Sequence, residues 1–283
     1  MLELIAGLPA GARVLDLGAG AGSFPANRRD LIVVRLDLKP PPEPRNAGAY
    51  VAADAACMPF PSQFFDLIIS NHSLEHFTLL EETLREIGRV LRPEGYLFIS
   101  VPDASTLTDR IYRWMARGGG HVNPFRAPQD VISLVERLAS IEHRRTKLLF
   151  SSLSFLNRHN FRTRPPKKIA LFLFGSEHFL ATFTWALRQW DLRHRTRYSH
   201  YGWAFYFGGE TPSQLLQPAA HPQGQAARSE DAWINVCVRC GSGHAQAFLK
   251  YTRTVPGFPR WFQPYRCPLC GGWNLFTEDA VFG

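Results

Sequence analysis

The chain has 283 residues, 45% of them hydrophobic and 20% charged, with a formal net charge of +8. That length holds one large domain and a small one, and that composition excludes wholesale disorder. The positive balance leaves anionic partners open (nucleic acid, a membrane surface or a phosphorylated substrate) without selecting one.

In chain order, MLELIAGLPAGARVLDL carries no charged n-region, and its apolar residues read as a first helix and strand. A cytoplasmic location is therefore expected. RVLDLGAG from Arg13, LIVVRLDL over 31–38, AYVAADA over 49–55 and FFDLIISN over 64–71 read as strands. LLEETLREIGRVLRPEG places Leu80, Leu84, Ile87 and Leu91 on one helical face, with Pro93 and Gly95 as stop signals. YLFISVPD, 96–103, is the next strand, and APQDVISLVERLAS, 127–140, a second helix. Near-continuous apolar strands alternating with helices predict a parallel sheet covered on both faces.

A strand around Lys147 to Leu153 follows, then basic RHNFRTRPPKK, an aromatic helix from Ile169 to about Arg193, and a closing strand YGWAFYFGG over 201–209. The apolar run Ile169–Leu187 is interrupted by Glu177 and His178. It falls short of the roughly 18 uninterrupted apolar residues that a spanning helix needs. ETPSQLLQPAAHPQGQAARSED, 210–231, has the composition of a linker.

Strand one runs into GAGAG, and glycines there let the backbone turn sharply and a ligand approach the main chain. Three details choose the ligand. The spacing is GxGxG rather than the dinucleotide GxGxxG. Asp16, two residues before Gly18, repels a pyrophosphate but suits an ammonium. Asp37 ends the second strand, where it suits two ribose hydroxyls. A ribose, a cationic amino-acid tail and no phosphate describe S-adenosylmethionine.

VLDLGAG at 14–20, LDL at 36–38, ADAACMPFP at 53–61, FDLIISNHSLEH at 65–76 and EIGRVLRPEGYLFISVP at 86–102 stand in order and cover most of residues 10–155. In these segments the chain resembles class I S-adenosylmethionine-dependent methyltransferases, closest to the ubiquinone-biosynthesis-like group. The resemblance implies an α/β, Rossmann-like, doubly wound and mostly parallel seven-stranded sheet over residues 1–209, with 155–200 as an aromatic and basic helical insertion. It implies that Gly18, Ala19 and Gly20 admit the cofactor to the backbone and that Asp16 orients its amino group. Asp37 takes the ribose, Leu38 lies against the adenine, Asp54 accepts from the adenine amino group, Ala55 supplies backbone contacts and Asn71 borders the methionine moiety. For Asp54 a plain turn or cap residue is the alternative. One departure stands out: SFPANRRD after the glycines is short for the helix that usually follows.

Methyl transfer to a hydroxyl needs a base near its proton. NHSLEHF offers His72, Glu75 and His76 beyond the fourth strand, and His121 follows three glycines in GGGHVNPF. His76 and His121 are the catalytic candidates. Against them stand a structural or cofactor-shielding role for His76 and a helix-capping role for His121. No NPPY-like segment follows the fourth strand; NHSL stands there. Cys57 reads as a packing residue within the cofactor segment.

CVRC at 237–240 and CPLC at 267–270 form C-x2-C-x26-C-x2-C, which reads as Cys237, Cys240, Cys267 and Cys270 in a closed tetrahedral thiolate set for a structural Zn2+, against a redox pair or unconnected thiols. His244 is a spare ligand candidate. Residues 232–283 thus resemble a zinc ribbon, whose basic, aromatic loop suits single-stranded nucleic acid or a protein face equally. The insertion at 158–195 reads as a helix covering the sheet, an interfacial segment for an anionic membrane, or a lid over a greasy substrate.

The expected function is methyl transfer from S-adenosylmethionine to a small-molecule, lipid-linked or glycan-precursor acceptor. The alternatives are an RNA or protein methyltransferase targeted by the ribbon, and a scaffold or binding protein that keeps the cofactor fold without turnover.

Overall fold

In a computed structural model the described residues are 1–24, 28–40, 48–115, 120–150, 177–196, 198–209, 233–236, 243–245, 263–266 and 273–276. They fall in two compact units, Met1–Pro102 with His121–Thr146 and Trp203–Pro218, and Asp103–Gly120 with Lys147–Gly202 and Ala219–Gly283.

The first unit opens with helix α1 (Leu2–Gly7) and is built on strands β1 (Arg13–Leu17), β2 (Ile32–Asp37), β3 (Ala49–Ala52), β4 (Phe65–Asn71) and β5 (Leu91–Pro102). Strands β6 (His143–Phe150) and β7 (His200–Gly208) divide between the units. The order is β3-β2-β1-β4-β5-β7-β6, and the β3-β2-β1-β4-β5 pairings are all parallel. This is the mostly parallel sheet expected from the apolar strands, in the Rossmann-like form that the family resemblance implies. Val14, Leu15 and Leu17 of β1 and Leu67, Ile68 and Ile69 of β4 are wholly buried, as strands covered on both faces must be.

Helices α2 (Leu80–Val90) and α4 (Pro128–Ala139) turn Leu84, Ile87 and Val90, and Val131, Val135 and Ala139, into the core. Pro128 opens α4, where a missing N–H costs nothing, and the Asp130 carboxylate accepts the Ala127 N–H at 3.0 Å. The two helices meet at Gly88, where an added Cβ would lie 2.5 Å from the Ala139 carbonyl oxygen. Gly88→Ala gains about 1 kcal/mol of helix propensity but overpacks against backbone, which costs about 1–3 kcal/mol. A lowered thermal midpoint is the expected outcome.

Several element ends differ from expectation. β3 stops at Ala52 rather than 55, because Asp54 opens a turn by accepting the Ala56 N–H at 2.9 Å. β5 starts at Leu91 rather than 96: Leu91 pairs with Phe65 and Tyr96 with Leu67, so a bulge absorbs residues 92–95. β6 begins at His143 rather than near 147. Helix α3 (Leu107–Met115), in the second unit, was not foreseen from the sequence.

The second unit also holds helix α5 (Glu177–His194), the described part of the aromatic helix expected from Ile169. Asp191 fixes its exit by accepting the Tyr198 N–H at 2.8 Å and the Ser199 hydroxyl at 2.7 Å. Strand β8 (Trp233–Val236) pairs in parallel with Leu148–Phe150 of β6, β9 (Gly243–Ala245) pairs antiparallel to β8, and β10 (Gln263–Arg266) and β11 (Trp273–Phe276) form a separate antiparallel pair. Cys237, Cys240, Cys267, Cys270, the 210–231 segment and residues 155–176 of the insertion lie outside the described residues. No described helix is long and apolar enough to cross a membrane.

Candidate functional site

The glycine turn at the carboxyl end of β1 is tied down on both sides. The Gly18 and Ala19 N–H groups donate to the Leu36 carbonyl of β2 at 2.8 and 3.0 Å. Gly18 has φ +66°, and a Cβ there would lie 2.5 Å from the Ser73 Cβ, so this glycine serves both conformation and close packing. Ser73 in turn donates its hydroxyl to the Leu17 carbonyl at 2.9 Å, locking the residues after β4 against the end of β1. Gly20, also at positive φ, faces open space: nothing lies within 4 Å of a Cβ built on it. Among the described residues no helix follows this turn before β2, in keeping with the short segment after the glycines.

Asp16 is fully buried. Its Oδ2 accepts the Ser23 N–H at 2.9 Å and an ion pair from Arg35 of β2, which stands directly opposite it in register. The Arg35 guanidinium, itself fully buried, also donates to the Phe24 carbonyl at 2.8 Å and lies over the Phe24 ring, 4.8 Å from its centroid. Asp16 Oδ1 has no partner among the described residues. Burial raises the Asp16 pKa, against the lowering effect of the Ser23 hydrogen bonds and of Arg35. A buried acceptor left open is costly, and a ligand ammonium would satisfy it. The residues thus fit the amino-acid end of S-adenosylmethionine.

Asp37, at the end of β2, accepts the Gly20 N–H on Oδ2 at 2.8 Å and the Lys39 N–H on Oδ1 at 2.9 Å. Each carboxylate oxygen keeps lone-pair capacity for a further donor. Leu38 beside it is exposed. Asp54 is exposed and forms the turn described above, while Ala55 behind it is buried. Asn71 accepts the Ser100 hydroxyl at 2.7 Å at the end of β4. Cys57 is exposed, so it is not the packing residue expected from the sequence.

Beyond β4 the chain turns sharply at His72, a non-glycine residue at φ +54°, and continues into the short 3-10 turn Leu74–His76. Burial, with the His121 and His76 imidazoles nearby, pushes the His72 pKa down to about 3, so it is neutral at pH 7. Glu75 is 2% exposed, and its Oε1 lies 4.0 Å from His76 Nε2. The His76 and His121 rings stand edge to face, 4.8 Å between centroids. Two residues distant in sequence are thus brought together. The cause is a strap: Val122 and Asn123 N–H groups donate to the Glu75 carbonyl, at 2.8 and 3.1 Å, and the Asn123 amide donates to the Leu74 and Phe77 carbonyls.

Arg35 is the site residue that the sequence reading passed over. Its signal was a basic residue inside the otherwise apolar run of the strand IVVRLD, before the terminal Asp37.

A family model described as a methyltransferase domain matches residues 1–143, and the chain belongs to that family. The chain is 30% identical over 129 residues to malonyl-[acyl-carrier protein] O-methyltransferase 1 of Coxiella burnetii, covering 44% of this chain and 45% of that protein. It is 34% identical over 109 residues to the ubiquinone/menaquinone biosynthesis C-methyltransferase of Yersinia pestis bv. Antiqua, covering 33% and 43%. The chain spans about half the length of the curated relatives it matches. Among solved structures, Haemonchus contortus phosphoethanolamine N-methyltransferase 2, in complex with S-adenosyl-L-methionine, superposes with a TM-score of 0.45 at 16% identity, covering 74% of this chain and 51% of that one.

Proposed function

We propose that this protein is a cytoplasmic S-adenosylmethionine-dependent methyltransferase acting on a small-molecule, lipid-linked or glycan-precursor acceptor. The observation that carries the reading is the glycine turn with its two acids: Gly20 open to a ligand, Asp37 holding the turn, and Asp16 Oδ1 buried without a donor. Asp16 receives the ammonium, Gly18 to Gly20 admit the chain of the cofactor, Asp37 takes the ribose hydroxyls, Leu38 and Ala55 border the adenine with Asp54 at its amino group, and Asn71 borders the methionine end. The cofactor, when bound, supplies a methyl group on a sulfonium, and in-line alignment with desolvation provides much of the rate. His76 and His121 are the groups that receive or polarise the acceptor's proton. The names of the relatives, one a malonyl-[acyl-carrier protein] O-methyltransferase and one a C-methyltransferase of ubiquinone/menaquinone biosynthesis, support a small or carrier-linked acceptor.

The test is calorimetric titration of S-adenosylmethionine and S-adenosylhomocysteine into the full chain and into Asp37→Ala. Hydrogen bonds to a charged acceptor are worth about 1.5–3 kcal/mol each. Binding by the parent and a loss of roughly 100-fold or more in the variant, which removes two such bonds, is the expected result. A folded parent that binds neither ligand sinks the proposal and leaves the scaffold reading.

The C-terminal segment we assign to a structural zinc site. Cys237 and Cys240 lie in the connection between paired Val236 and Gly243, and Cys267 and Cys270 in that between paired Arg266 and Trp273. Two antiparallel pairs, each joined by a six-residue CxxC segment, suit the two knuckles of a closed thiolate site. Its basic, aromatic loop and the exposed Phe179 and Trp190 of α5 are the surfaces through which an RNA, protein or membrane partner would act.

A further inference from the structure

We propose that Glu75, His76 and His121 form a binding site for a divalent first-row transition-metal ion, separate from the cysteine pairs. One ligand atom from each residue lies within 4.8 Å of the others. Metal–ligand bonds of about 2.0–2.2 Å set tetrahedral donors roughly 3.4 Å apart. The longest separation must therefore close by up to about 1.4 Å, a change that side-chain torsions would have to supply. The backbone is held for that purpose. The Glu75 carbonyl accepts from Val122 and Asn123, the two residues after His121. The Asn123 amide ties the same strap to the carbonyls on either side of Glu75 and His76.

The donor chemistry selects the ion. Two imidazoles and one carboxylate suit zinc, cobalt, nickel or iron(II) better than magnesium or calcium, which prefer all-oxygen shells. The burial is graded in the way an open site requires. Glu75 is inside, His121 is partly exposed and the His76 side chain is 39% exposed, so one side remains accessible to water or to another ligand. Three protein ligands leave a coordination position unfilled. On the methyltransferase reading, an acceptor oxygen would take that position and lose its proton to solvent more readily there, with His76 and His121 acting through the metal as ligands instead of receiving the proton themselves. That last step rests on the proposed function; the metal site itself does not.

The experiment is titration of Co2+ into chelator-treated full-length protein, followed by visible absorption. Cobalt on the cysteine thiolates gives an intense charge-transfer band. Cobalt on a nitrogen and oxygen site gives only weak d–d bands, so the two sites separate by spectrum. The expected result is weak d–d absorption that continues to grow after the thiolate band has saturated. His76→Ala and His121→Ala should each lose it while keeping the thiolate band and the far-ultraviolet dichroism of the parent. His76→Cys should convert it into a second thiolate band, a gain that only a folded site can give. The proposal is overturned if the parent shows no absorption beyond the thiolate band, or if the weak bands persist in both alanine variants and His76→Cys adds no charge transfer. Calorimetry of S-adenosylmethionine on the same samples separates the two readings. Metal without cofactor binding counts against the methyltransferase, and cofactor without metal counts against this site alone.

Discussion

Arg35→Met is expected to destabilise the protein by about 3–5 kcal/mol, the usual cost of leaving a buried carboxylate without its partner. Arg35 and Asp16 are both fully inaccessible to solvent, and the guanidinium also holds the Phe24 carbonyl. Removing it leaves Asp16 with only the uncharged Ser23 as a hydrogen-bond donor. Urea unfolding reads the loss directly as a shift in midpoint at unchanged slope. Asp16→Leu combined with Arg35→Met removes both charges and should recover most of that stability, since a buried pair replaced by apolar side chains is often close to neutral. The double variant should nonetheless bind no S-adenosylmethionine. If Arg35→Met unfolds within about 1 kcal/mol of the parent, desolvation relief has outweighed the lost pair.

The second large effect separates two glycines that look alike in sequence. Gly18→Ala forces a left-handed residue, at about 1–2 kcal/mol, and drives its methyl into Ser73 and Phe77, 2.5 and 3.3 Å away. Overpacking of that kind adds about 1–3 kcal/mol and breaks the Ser73 bond to the Leu17 carbonyl. Gly20→Ala carries only the conformational cost, because its methyl enters open space. That space is where the proposed cofactor lies. The expected outcome is a folded Gly20→Ala protein with little S-adenosylmethionine binding, and a Gly18→Ala protein whose melting temperature falls markedly. Equal melting temperatures for the two would show that the Ser73 contact yields more readily than the structure implies. Wild-type affinity in Gly20→Ala would move the cofactor off this turn.

Much of this fold was legible because the parallel strands are nearly uniform apolar runs and the two core helices keep strict 3.6-residue spacing. Leu84 and Ile87, read from the spacing, are indeed buried. The element ends were less legible. The bulge that starts β5 at Leu91 depends on a partner 26 residues earlier, Phe65, which no local pattern reveals. Helix α3 was missed because its apolar residues, Leu107, Ile111, Trp114 and Met115, are few and mixed with arginines. The glycines, Asp16 and Asp37 announced themselves because each stands at a strand end, where a polar or small residue is conspicuous. The proximity of His121 to His76 was not visible, since it depends on a backbone strap between segments more than 40 residues apart.

Asp16 and Arg35 have a consequence for how the sheet finds its alignment. Strands VLDL and IVVRLD are otherwise apolar over their paired lengths, so most relative positions of the two would bury similar surface. Sliding β2 by one residue sets Asp16 against Val34 or Leu36, and sliding it by two sets it against Val33 or Asp37. The first two leave a charge on each strand facing hydrocarbon, the third sets Asp16 against Val33 and Arg35 against Gly18, and the last opposes two carboxylates. Only the observed alignment joins the charges, and it sets Tyr50 of β3 opposite Arg35 on the far side. One ion pair thus works as a key between strands whose greasy surfaces would accept several settings, and it fixes the one that sets Asp37 beside the glycine turn.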